Sequence, residues 1–191
     1  MMGTVPTRPN PTLRVATLAD APAIDALMKA STAAIFPAYY DATQTASSVR
    51  HVARVDLDLL VDCTYFAIEA DSELVACGGW SRRGRAYMGS ADAPGDDRYL
   101  DPAIDAAHIR AMFVRGDWTR RGLGRRLIEE SEAAARRMRF LRMDLIATLP
   151  GIPLYKASGY VPTAEIKDIV LADGVLLPCL AMSKPLEGVD R

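Results

Sequence analysis

The sequence predicts an α/β domain, a mixed central sheet flanked by helices, on three observations. Short apolar runs of strand length alternate with longer stretches whose apolar residues recur at helical spacing. A central unit, Ile109 to Arg139, joins a strand to an amphipathic helix through a glycine-bearing turn. Another strand follows that helix, and two strands joined in this way lie parallel with a right-handed crossover. At 191 residues, half of them hydrophobic, the chain fits one domain with a real core.

Residues 1–12, with Pro6, Pro9 and Pro11, read as a flexible lead-in to a domain over 13–184, with 185–191 as a tail. Leu13 to Thr17 alternates like a strand. Asp20 before Ala21-Pro22 reads as an N-cap, opening a helix from Pro22 to Ala30. Ser31 to Tyr40 is aromatic and irregular. Helical pieces are expected over Thr43 to Arg54 and near Asp56 to Val61.

Thr64 to Glu69 and Glu73 to Trp80 form a hairpin across Ala70-Asp71-Ser72, in which Gly78-Gly79 marks a bulge or a close backbone approach. Arg82 to Asp105 is rich in Gly, Pro and Asp, and a loop this long is functional or mobile. Ile109 to Val114 is a short apolar strand. From Gly122 onward, Leu123, Leu127, Ile128, Ala134, Ala135 and Met138 draw the apolar stripe of a helix, with Glu132 and Arg136 four apart on its surface. Arg142 to Thr148 is a strand, Pro150 to Ala157 a short helix and Tyr160 to Ile169 a strand. Leu176 to Ser183 pairs back across Ala172-Asp173-Gly174.

The turn Thr119-Arg120-Arg121-Gly122-Leu123-Gly124-Arg125-Arg126 carries the chemical signal. Glycines let backbone approach a ligand closely, and the first turn of a helix leaves its amides unpaired. The positive end of the helix dipole and the arginines add to the attraction for an anion, so the turn reads as a phosphate cradle or, more plainly, as a turn-forming glycine pair. A dinucleotide fingerprint would need a third Gly or Ala where Leu127 stands, and a P-loop would need Gly-Lys-Ser/Thr. Neither pattern is met.

Strand, turn, Gly-x-Gly and amphipathic helix resemble motif A of the GNAT N-acetyltransferase superfamily, whose Q/R-x-x-G-x-G/A loop holds the pyrophosphate of acetyl-CoA. Thr119 stands where that family has Gln or Arg. Leu154-Tyr155-Lys156-Ala157-Ser158-Gly159-Tyr160 is similar to the family's Leu-Tyr-x-x-x-Gly-Phe/Tyr segment, and the likeness covers roughly Leu13 to Lys184. The resemblance implies a GNAT-like sheet whose central parallel strands splay apart after Ala147, with acetyl-CoA as cosubstrate in the gap. It implies backbone contacts from Met112, Phe113 and Val114 to the pantetheine arm. The diphosphate falls to Arg120, Arg121, Gly122, Leu123, Gly124 and Arg125. Tyr155 takes the family's general-acid position; the competing reading is a tyrosine packed under the sheet.

Transfer to an amine also needs the amine deprotonated. His108 has the side chain whose ordinary pKa lies near neutrality, and it reads as a base or as a strand-edge histidine without a role. Water relayed to backbone carbonyls or to Asp101 or Asp105 is the other route. Phe36, Tyr39, Tyr40 and the loop from Gly84 to Asp105 face the acceptor, with Asp92, Asp96, Asp97, Asp101 and Asp105 either drawing a cationic amine or simply solvated. His51 has no supporting context.

The net charge of −1 argues against a general nucleic-acid binder, although Arg110 to Arg142 holds ten arginines against four acids. Cys63, Cys77 and Cys179 are too few and too scattered for a disulfide framework or a zinc site. With no leader pattern and no membrane-length apolar run, a cytoplasmic protein is expected. The reading is an acetyl-CoA-dependent N-acetyltransferase acting on a primary amine of a small molecule or peptide, with a homodimer left open. A non-catalytic acyl-CoA-binding regulatory module is the alternative.

Overall fold

The computed structural model describes residues 10–84 and 98–186. Among these residues eight strands and five α-helices follow in the order β1 (Thr12–Val15), α1 (Ala21–Ile35), α2 (Ala42–His51), α3 (Leu57–Val61), β2 (Tyr65–Ala70), β3 (Glu73–Ser81), β4 (Ala107–Val114), α4 (Leu123–Arg137), β5 (Arg142–Thr148), α5 (Ile152–Ala157), β6 (Val161–Pro162), β7 (Lys167–Val170) and β8 (Leu176–Pro185). They build one sheet in the order β1-β2-β3-β4-β5-β8-β6, with β7 also paired to β8. Among the described residues, only β4 and β5 run parallel; the other pairings are antiparallel.

The sheet buries both faces. Phe66, Ile68, Trp80 and Ile109 pack with Leu127 and Ile128 of α4. Tyr65, Ala67 and Cys77 point the other way, onto Ile24, Leu27 and Met28 of α1 and Leu59 and Leu60 of α3. Successive strand residues face opposite sides, so β2 supplies both cores from one short run.

Local differences from the sequence reading have physical causes. Helix α1 runs to Ile35, not Ala30, because Ser31 and Thr32 continue its buried face while hiding the apolar period. The Ser31 hydroxyl donates to the Val114 carbonyl at 2.8 Å. Asp20 does not cap α1 with its side chain. Its carboxylate turns back to accept from Thr17 N at 2.7 Å and from both terminal nitrogens of Arg14. Helix α2 ends at His51, opened by a capping box in which Gln44 N donates to Asp41 Oδ1 at 2.7 Å and Asp41 N donates to Gln44 Oε1. The strand expected over Tyr160 to Ile169 is two, β6 and β7, which meet different stretches of β8.

Two helix ends share one geometry. After α5, Gly159 takes φ 89°, its amide donates to Lys156 O, and Tyr160 N donates to Tyr155 O. This Schellman turn throws Tyr160 back into the core, its ring edge-on to Tyr155 at 5.9 Å. After α4, Arg139 holds φ 65° and Phe140 N donates to Ala135 O, returning Phe140 to the core. Met138 therefore lies beyond the helix and is exposed, not part of the stripe.

Glu132 is the main surprise of α4. The expected surface pair with Arg136 exists at 3.0 Å, but the Glu132 side chain is 4% exposed and also accepts from Lys184 Nζ at 2.7 and 2.8 Å. The acid fastens α4 to β8. Glu132→Ala should destabilise the fold by about 2 kcal/mol, short of a fully buried pair because Lys184 and Arg136 can reach water. Glu129→Ala, breaking the exposed pair with Arg125, should cost under about 0.5 kcal/mol. Urea denaturation of both variants measures the difference.

Candidate active site

Strands β4 and β5 pair only at Ala107↔Met143 and His108↔Asp144. They separate there, three residues earlier along β5 than the expected parting after Ala147. Each strand stays anchored on its outer side, β4 to β3 and β5 to β8 through Thr148. The edge of β4 facing the gap therefore offers unpaired backbone donors and acceptors. Within it, Ala111 holds φ 51° and the register with β3 shifts between Cys77 and Gly79, a bulge that redirects the strand. Gly78 permits this, since a Cβ there would lie 2.2 Å from Met112 Sδ. The buried Tyr65 hydroxyl donates to the Ala111 carbonyl at 2.6 Å and holds the strained residue in place.

Beyond β4 the chain makes a tight turn into α4. Arg120 has φ 61° and Gly122, the N-cap, φ 82°. The first backbone bond of the helix is Arg126 N to Gly122 O at 3.0 Å, and the amides of Gly122, Leu123, Gly124 and Arg125 meet no acceptor among the described residues. Four donors converge at the positive end of a 15-residue helix. The two glycines differ in role. A Cβ on Gly122 would meet nothing within 4 Å, leaving room for a ligand and making positive φ the demand. A Cβ on Gly124 would lie 2.8 Å from Leu154 Cδ2, so this glycine seats α4 against α5.

Gap and turn belong to one cavity of about 610 Å³, lined by Met112, Phe113, Val114, Arg120, Gly122, Leu123, Gly124, Arg125 and Tyr155, among others. Phe36 and Tyr39 also line it. Tyr155 is 8% exposed, and burial holds its pKa above the ordinary phenol value. No described residue hydrogen-bonds its hydroxyl, so it is a protonated donor with its proton uncommitted.

Other expected residues lie elsewhere. Arg121 is stacked on the Trp118 ring at 4.4 Å, donates to Asp117 O and does not line the cavity. His108 sits at the closed end of the gap, also outside the lining. Burial and Arg110 hold its imidazole below its ordinary pKa. Tyr40 is structural: its hydroxyl donates to Pro178 O and accepts from Leu149 N, both at 2.8 Å. Asp105 pairs with Arg98, which pulls its pKa down to about 2, while Asp101 accepts from Ala103 N. Neither lines the cavity. Asp92, Asp96 and Asp97 lie outside the described residues. His51 meets Asp173 at 3.3 Å, tying α2 to the β7–β8 turn.

The arginine-rich stretch is largely compensated. Arg115, Arg125, Arg136, Arg137 and Arg142 each pair with an acid, and Arg110 pairs with buried Asp56 at 3.1 Å. Thr119 donates to Gly116 O and steadies the turn. The sequence reading missed Tyr65, Ser31 and Arg54, which borders the cavity. A buried strand tyrosine and a helix serine carry no local signal of whom they will meet.

A sheet parted beside a helix start with open amides defines a protein built to hold an extended ligand ending in an anion. The sequence agrees over residues 28–160 with the model of the acetyltransferase (GNAT) family. The chain belongs to that family, whose cosubstrate is acetyl-CoA. A GCN5-related N-acetyltransferase from Rhodopseudomonas palustris superposes with a TM-score of 0.68 at 19% identity, covering 96% of this chain and 100% of its own. The paia N-acetyltransferase of Thermoplasma acidophilum, solved with coenzyme A, gives 0.63 at 13% identity, over 92% and 99%. A ribosomal-protein-alanine N-acetyltransferase from Brucella melitensis gives 0.60 at 18% identity, over 92% and 99%. These likenesses establish the fold. No curated protein sequence matches significantly. Among the described residues, no helix is long and apolar enough to cross a membrane.

The cradle fits a diphosphate, and its geometry makes two variants informative. Gly124→Glu should abolish acetyl-CoA binding, while Gly122→Ala should cost about 1 kcal/mol of stability through its positive φ. Thermal denaturation with and without acetyl-CoA reads both, since ligand at about a hundred times its Kd adds about 2.7 kcal/mol. Undiminished stabilisation of Gly124→Glu would relocate the diphosphate.

Proposed function

We propose that this protein transfers the acetyl group of acetyl-CoA to a primary amine of a small molecule or peptide, by direct attack of the amine. One observation carries the reading: open helix amides, the unpaired edge of β4 and a buried, protonated phenol line a single cavity. Bound acetyl-CoA supplies an acetyl group activated as a thioester. The amides of Gly122 to Arg125, with Arg120 and Arg125, hold its diphosphate. Backbone groups of Met112, Phe113 and Val114 receive the amide-bearing arm, and a β4 amide beside the bulge donates to the carbonyl oxygen as charge develops there.

Tyr155 donates its proton to the departing sulfur as the carbon–sulfur bond breaks and the carbon–nitrogen bond forms, and solvent restores that proton. The amine's proton leaves to water. No described lining residue is a carboxylate or an imidazole. The walls favour the neutral amine instead, since Phe113, Ile146 and Ile169 are apolar and Arg54 and Arg110 are cationic. His108 takes no step in this mechanism.

Tyr155→Phe should lower kcat about a hundredfold while leaving stabilisation by acetyl-CoA intact; an unchanged rate removes the phenol from the mechanism. His108→Gln should leave the pH profile of kcat/KM unaltered, the wild-type rate rising towards the acceptor's own pKa. A wild-type break below about pH 6.5, lost in the variant, would return His108 to the mechanism as base. The lack of a lining base also favours a second reading, a regulatory module that binds acyl-CoA without turnover. CoA release with any of a panel of amines excludes it.

A further inference from the structure

The charges on the cavity wall are all of one sign. Arg54, Arg110, Arg120 and Arg125 line it, with no Asp, Glu, His or Lys among the described lining residues. Two of the four are accounted for: Arg120 and Arg125 stand at the start of α4, where the diphosphate is expected. Arg110 precedes the Ala111 bulge on β4 and Arg54 lies close in sequence to its partner Asp56, so both belong to the end of the gap away from α4, to which the proposed transfer brings the acceptor.

Arg110 is built into that end. It is 5% exposed and pairs with Asp56, whose side chain is 9% exposed, at 3.1 Å. Arg54 lies two positions before Asp56 in the segment after α2, and is exposed. Its guanidinium has no ion pair or hydrogen bond with any described residue, although its backbone amide donates to Val52 O. Arg110 is compensated by Asp56, so Arg54 is what makes this end attractive to an anion. Phe36, Val52, Ile146 and Ile169, which pack in one apolar cluster, line the same cavity, as does the half-exposed Tyr39.

A cationic or polyamine acceptor would meet the Arg54 guanidinium here and no carboxylate on the described lining. A planar guanidinium at an apolar mouth suits a carboxylate, which it can grip with two parallel hydrogen bonds. We propose that the acceptor is an amine that also bears a carboxylate on an apolar body, as an apolar α-amino acid does, and that Arg54 receives the carboxylate. The proposal rests on the acetyl-transfer reading and adds the class of substrate. Arg54 aligns the amine through the far end of the same molecule, so its effect falls on KM more than on kcat.

The test uses the full chain with saturating acetyl-CoA and three matched acceptors: phenylalanine, phenylalaninamide and phenethylamine. Initial CoA release is followed for wild type, Arg54→Ala, Arg54→Lys and Arg54→Glu. Phenylalanine should be favoured over the other two by at least about tenfold in kcat/KM, the scale of one charge-assisted hydrogen bond. Arg54→Ala should collapse that preference through KM, Arg54→Lys should keep part of it, and Arg54→Glu should invert it towards phenethylamine. The proposal is overturned, with the transferase reading intact, if phenethylamine or the amide serves wild type as well as the acid does. It is overturned equally if Arg54→Ala slows all three alike. Transfer to none of the three, with acetyl-CoA still raising the melting temperature, removes the proposal and leaves the transferase reading to a wider amine panel.

Discussion

The separation of β4 from β5 beyond His108 and Asp144 is the constraint on which the site depends. Two adjacent parallel strands ordinarily satisfy one another's backbone, and leaving them apart exposes polar groups that cost free energy unless something else pairs with them. The fold tolerates this because each strand is secured on its far side. Strand β5 pairs with β8 over seven residues, and β4 is held to β3 on both sides of its bulge. The opening thus has rigid walls, and what it lacks is a strand-like partner. An extended chain carrying amides would supply that partner, which is the physical reason for proposing that the gap takes the pantetheine arm.

The bulge at Ala111 turns an opening into an oriented site. A non-glycine residue at positive φ is strained, and here three neighbours maintain it: Gly78 by its missing side chain, Tyr65 by its hydrogen bond and the β3 register by its shift. The turn at Arg120 to Gly122 stores a similar distortion and releases helix amides towards the same space. Strain therefore sits at the two points where the proposed function has backbone meet ligand, and the well-packed cores on either face of the sheet supply the stability that permits it.

Charge is arranged on the same plan. Most arginines between Arg110 and Arg142 are neutralised by neighbouring acids, so the uniform basic field suggested by composition is not what a ligand would encounter. Among the described residues, Arg54 and Arg120 line the cavity without an ion pair, alongside apolar side chains such as Phe36, Phe113, Ile146 and Ile169. Glu132 provides the contrast: its pairing with Lys184 and Arg136 lies behind α4, away from the cavity lining, and serves to lock the helix to β8.

The sequence by itself determined what depends on near neighbours along the chain. Periodicity marked the sheet and helices, the Gly122-x-Gly124 turn marked the helix start with free amides, and Pro150 to Ala157 read as a short helix. Each is a matter of local dihedral preference and side-chain spacing, which a short window of residues contains. Tertiary structure alone decided where β4 leaves β5, that Ser31 and Thr32 prolong α1, that Glu132 is buried, that Tyr65 clamps the bulge and that Arg54 borders the cavity while His108 does not. Those outcomes depend on which distant strands pair and which faces are covered, and the free energy that selects them comes from contacts between residues far apart in the chain.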